Sequence, residues 1–140
     1  MSTPVRDVRD TFLKFLDDNL AMPVKAIRND PSDPGASVLQ TNAINVHFLK
    51  LNLDSVATQQ VVIDVLNDDE NLAVDWMESI WTLLRSAFYT PLYNYSTPSV
   101  PVAQNTNVMW DRTSVKFHPV VSDNYTHYSC VLPLKFYAII

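Results

Sequence analysis

Residues 43–66 read AINVHFLKLNLDSVATQQVVIDVL, and the fold follows from how this stretch is divided. Ile44, Val46 and Phe48 alternate with polar residues, as they do in a strand with one buried face. Leu49, Leu51 and Leu53 then continue the alternation in the opposite phase. A phase change of this kind marks a bulge, or a strand that passes from one packing partner to another. Beyond Asp54-Ser55 the run Val56–Leu66 contains Val61, Val62, Ile63, Val65 and Leu66, a β-branched segment. The two runs are expected to form a hairpin of long strands.

Helical periodicity lies on either side. Thr3-Pro4 supplies an N-cap and a proline at the first helical position, and Val5, Val8, Phe12, Phe15, Leu16 and Leu20 recur at helical spacing. A first helix is expected from Pro4 to Leu20, ended by Pro23 and followed by a short strand, Val24 to Arg28. Asn29 to Gly35 is a cluster of turn formers and holds the chain's only glycine. After the hairpin, Asn67-Asp68-Asp69-Glu70 places carboxylates where a helix dipole favours them. Leu72, Trp76, Ile80, Leu84 and Phe88 follow at steps of four, which predicts a second helix over Asp69 to Phe88.

From Ser86 to Trp110 the chain runs 25 residues without a charge, with Pro91, Pro98 and Pro101 among Phe88, Tyr89, Tyr93 and Tyr95. The prolines argue for a long irregular loop, and long aromatic loops in small domains usually have a function. Two further strands are expected, Thr106 to Val121 and Tyr125 to Ile140. In the last, Tyr128, Cys130, Leu132, Leu134 and Phe136 share one face, and Ser129, Val131, Lys135 and Tyr137 share the other. Pro133 on that second face suggests an edge or a bulge. The expectation is a single α+β domain over 1–140, with an antiparallel or mixed sheet of four to five strands, two flanking helices and the order α-β-β-β-α-β-β.

Composition narrows function. A chain of 140 residues with 47% apolar residues can bury a core. Only 18% are charged, a depletion that also marks interface cores. A net charge of -5 with no basic run argues against gripping a phosphate backbone. The charged N-terminus MSTPVRDVRD and the lack of a long apolar run argue against a signal peptide or a membrane span, so the sequons at Asn94 and Asn124 are expected to stay unmodified. One glycine cannot build phosphate-cradling, dinucleotide or nucleophile-elbow motifs. His47, His118 and His127 are dispersed, so no metal or other cofactor is implied. His118 and His127 could meet across the last hairpin, whereas His127 and Cys130 should face opposite ways. Asp17/Asp18, Asp68/Asp69 and Asp75/Glu78 read as solvated pairs, and Cys130 as a buried apolar residue. No enzymatic activity is expected.

The amphipathic first helix, the short strand, the long hairpin, the helix containing Asp75-Trp76-Met77-Glu78-Ser79 and the closing strand together resemble the tail terminator and tail completion (neck) proteins of tailed bacteriophages. The resemblance covers nearly the whole chain. It implies a virion protein assembled in the host cytoplasm. Copies would form a ring, commonly a hexamer, that caps the tail tube and meets the head-side connector, with DNA passing through the lumen. A head closure or minor tail role is the neighbouring reading. Subunit contacts are expected at Tyr89, Leu92, Tyr93, Tyr95, Val100 and Val102. A module that binds a peptide or small ligand, using Trp76, Trp81 or Trp110, is the reading from another class.

Overall fold

The computed structural model describes residues 4–27, 39–94, 102–122 and 124–137. Helix α1 spans Pro4–Asn19, and its residues Val8, Phe12 and Leu16 are fully buried at steps of four. The Asn19 side chain and the Leu20 amide donate to the carbonyls of Phe15 and Leu16, which closes the helix before Pro23. Strands β1 (Val24–Ile27), β2 (Ala43–Asn52) and β3 (Val56–Asn67) follow, then helix α2 (Glu70–Ser86). Strands β4 (Tyr89–Asn94) and β5 (Val102–Met109), a 3-10 turn (Arg112–Ser114), β6 (His118–Val120) and β7 (Thr126–Tyr137) complete the order.

The domain is α+β, as expected, but its mixed sheet has seven strands rather than four to five. The strand order is β1-β2-β3-β7-β5-β4, with β6 also on β7. Only the β1–β2 pair is parallel among the described pairings. Helix α1 touches both edge strands, β1 and β4, so the sheet curls around it. Ile44, Val46, Val61, Ile63, Val65, Cys130, Leu132, Leu134 and Phe136 meet Val8, Phe12, Leu16, Ile80 and Leu84 in one buried cluster. Each fully buried side chain of this size contributes roughly 1.5–3 kcal/mol.

The phase change in β2 is a bulge. Pairing runs in register to Phe48↔Val61 and resumes at Leu51↔Gln59, so Leu49 and Lys50 together stand opposite Gln60. Gln59, fully buried, secures it. Its amide nitrogen donates to the carbonyls of Leu49, Lys50 and Gln60 at 3.2, 3.3 and 3.0 Å. Its oxygen accepts from Arg9 Nε and Nη2 at 3.1 and 2.9 Å, and the guanidinium sits 5.5 Å from the centre of the Phe48 ring.

Other expectations need correction. The described part of the 86–110 segment is two strands, not an irregular loop. Pro91 is accommodated because β4 lies at the sheet edge, where a missing N–H need not break a ladder. The expected strand from Thr106 to Val121 ends at Met109. The Trp110 indole N–H donates to the Leu84 carbonyl at 2.8 Å, its ring packs on Phe12 and Phe15, and Asp111 caps the 3-10 turn. As a result β5 pairs with β4, and only the three-residue β6 forms the last hairpin.

In α2, Asp69 accepts from the amides of Asn71 and Leu72 as N-cap. The helix ends at Ser86 rather than Phe88. A step of four advances about 400°, so such a row drifts off one face. Ala73, Ile80 and Leu84 are buried, while Leu72 and Phe88 are exposed. Pro133, expected at an edge or a bulge, lies where β7 has β3 on one flank but falls between its pairings with β6 and β5 on the other.

Replacing Gln59 by Ala is expected to cost at least about 2 kcal/mol in urea denaturation, because the half-buried Arg9 guanidinium loses its acceptor and the bulge its donor together. Gln60→Ala, on the other face, should cost less than about 1 kcal/mol. The Thr113 hydroxyl and amide, at 2.7 and 2.9 Å, hold the Asp111 carboxyl below the usual carboxylate range. A lowered folded-state pKa stabilises above the unfolded value of about 3.9 and loses that contribution as pH falls through the folded value. Thermal melts should therefore show the gap between wild type and Asp111→Ala constant near neutrality and closing below about pH 4.

Candidate functional site

Cross-strand partners share a face, so the registers assign every strand residue to the helix side or the outer side of the sheet. One outer row runs Tyr89–Met109–Lys135–Thr58–Asn52 across β4, β5, β7, β3 and β2. Parallel to it stand Tyr137 opposite Val56 and Pro133 opposite Gln60, with Val131 beyond. The apolar members are open to solvent, Tyr89 at 45%, Val56 at 45%, Val131 at 48% and Tyr137 at 54% exposure. Lys50, Leu51, Asn52, Thr58, Gln60 and Pro133 line a shallow groove on this side. At the β4 end of the row the Phe88 ring lies edge-on to Tyr89 at 5.1 Å, with Arg112 5.3 Å from the Phe88 centroid.

The centre of the other half of the outer side is closed. Asn45 is fully buried and exchanges two hydrogen bonds with the Gln40 backbone, at 2.8 and 2.9 Å. Ile27, Ala43 and Leu66 are buried there as well. His127 Nε2 and Asp64 Oδ1 meet at 2.7 Å, both nearly buried. A polar row, Lys25–Asn45–Asp64–Ser129–His118, therefore crosses this half in register. The outer side thus joins a polar half with a buried centre, its ends Lys25 and His118 exposed, to an open apolar half.

The expected contact residues divide between two faces. Tyr89 belongs to the open face. Leu92 does not: β4 alternates, its even positions point inward, and Leu92 is 2% exposed in the core. Tyr93 is half-buried, and its amide donates to Thr11 Oγ1 at 3.1 Å. Tyr95 and Val100 lie outside the described residues, and Val102 opens β5 with its side chain likewise outside them. Val56, Val131, Lys135 and Tyr137 were not expected. The signal for the last three was the second face of β7, where they alternate with the core residues.

The histidines and tryptophans also separate. His118 stands opposite Ser129 and His127 opposite Val120, diagonal on one face, and the strong bond of His127 goes to Asp64. Among the described residues no three His, Cys, Asp or Glu side chains gather to hold a metal. Cys130 is fully buried on the helix side, and burial pushes its thiol up. Trp110 is core, Trp76 packs against the core, and Trp81 is exposed beneath Arg85 at 5.0 Å. They do not share a pocket wall. Asp75 and Glu78 are exposed along a groove with Asn19 and Leu20. Among the described residues no helix is long and apolar enough to cross a membrane.

No protein-family model matches the chain, and no curated protein matches it significantly.

The two β4 faces should respond oppositely to a buried charge. Leu92→Asp is expected to cost more than about 4 kcal/mol, whereas Tyr89→Asp should stay within about 1 kcal/mol of wild type in the same denaturation assay.

Proposed function

We propose that this chain is a structural subunit that works by self-association, forming a ring in a bacteriophage neck or tail that caps the tail tube and joins it to the head-side connector. The observation that supports it best is the open half of the outer sheet face. Tyr89, Val56, Val131 and Tyr137 stand exposed on strands whose opposite side is already packed on the helices. They are not left over from an incomplete core. Apolar and aromatic groups among short polar side chains, with few charges, are the composition of a protein contact. The order helix, short strand, long hairpin, helix is also the one that the resemblance to tail terminator and completion proteins rests on.

A ring requires one patch of a subunit to meet a different patch of its neighbour, since like-to-like contact stops at a dimer. The bare face supplies one of the two. Tyr137 and Val131 lie on β7, which is paired with β3 along its whole length, so the contact surface is carried by rigid backbone.

Sedimentation velocity on the purified chain, alone and with tail tubes, tests this reading. The wild type should form a closed oligomer or bind tube ends. Val131→Glu combined with Tyr137→Glu should remain monomeric with a thermal midpoint close to that of wild type. A wild type that stays strictly monomeric and ignores tail tubes would overturn the ring. Normal assembly of the double variant would exclude this face.

A further inference from the structure

The two edges of the sheet are built differently. At β4 the Tyr93 amide is taken by Thr11, and Pro91 has no amide hydrogen. At the other end, β1 is paired with β2 along one side, and no other described strand pairs with it. Beside its second side runs a groove of about 440 Å³ between strand and helix, lined by Asp10, Leu13, Lys14 and Asp17 of α1 and by Val24 and Ala26 of β1. Strand edges present backbone donors and acceptors to an incoming chain, and peptides bind in this way by becoming the next strand.

The groove has a sign. Asp10 and Asp17 stand two turns apart on its helical wall, while the ammonium group of Lys14 is held by Asp18 at 2.9 Å. Desolvation raises the Asp10 carboxyl above its usual range despite the opposing pull of Arg6, with Asp7 adding to the rise. A cation placed in the groove would favour the ionised carboxylates and so oppose that rise. Val24 and Ala26 share the groove side, opposite Ile44 and Val46, whereas Lys25 and Ile27 face the outer side. An added strand would alternate in the same way.

We propose that the β1 edge binds an extended segment of a second, different protein as an added strand, with lysine or arginine on the side that faces α1. A second copy is the poorer occupant. Pairing β1 with β1 about a two-fold axis would bring two Asp10/Asp17 walls together and would set Lys25 near its own counterpart. The site is independent of the ring reading, which uses the face of β3 and β7. Each can fail alone.

Fluorescence anisotropy tests it with a labelled, end-capped peptide of alternating lysine and valine, compared with two forms N-methylated on one or the other alternate set of amides. The full-length chain should bind the unmethylated peptide saturably and lose affinity for the form methylated on the edge-facing amides. Asp10→Asn with Asp17→Asn should weaken binding at least about tenfold, whereas Asp75→Asn with Glu78→Asn should leave it unchanged. Equal binding of all three peptides, equal weakening by both pairs of substitutions, or no saturable binding would overturn the proposal.

Discussion

A single buried amide holds the two layers of this domain in register. Gln59 lies in the middle of the sheet on the helix side, where an unpaired polar group would be costly, and its oxygen bonds a residue fifty positions away while its nitrogen bonds within its own hairpin. Its oxygen fixes Arg9, and through Arg9 the rotation of α1. Its nitrogen fixes the β2 bulge. The bulge reverses the parity of β2, so that Leu51 comes to stand opposite Gln59 and Asn52 opposite Thr58. Removing the amide would free the helix and the hairpin at once.

Trp110 is the second constraint, and it acts on the next turns of α1, at Phe12 and Phe15. Its indole joins the last turn of α2 to the aromatic groups of α1, and this bend breaks what would otherwise be one long strand. β5 is thereby turned toward β4, and β7 keeps β3 as its principal partner. β5 is left with a single register pair to β7, Met109 opposite Lys135.

Much of this was readable from local pattern. The N-terminal helix, the long hairpin, the bulge and the inward face of β7 depend on neighbouring residues, and the alternation of Ile44 to Phe48 or Cys130 to Phe136 encodes them directly. What escaped depends on distant partners. Pro91 reads as a breaker until β4 is known to be an edge. Leu92 reads as a contact residue until its parity on that strand is known. Asp64 reads as an interruption in a valine run, and only the pairing of β3 with β7 brings His127 to it. The open face was half legible: Val131 and Tyr137 could be assigned to the non-core side, but nothing local told whether that side was covered.

The β3–β7 ladder also governs timing. It joins residues 56–67 to residues 126–137 over their entire lengths, so the central pair of the sheet is also among its most distant pairs in sequence. Until β7 has been synthesised, β3 is a bare edge rich in valine, paired only on its β2 side, and the core has lost one wall. Such a chain closes late and as a unit. The open outer face, carried largely by β7, comes into being in the same step that completes the fold, so under the proposed ring a half-made subunit would have no competent face with which to poison an assembly.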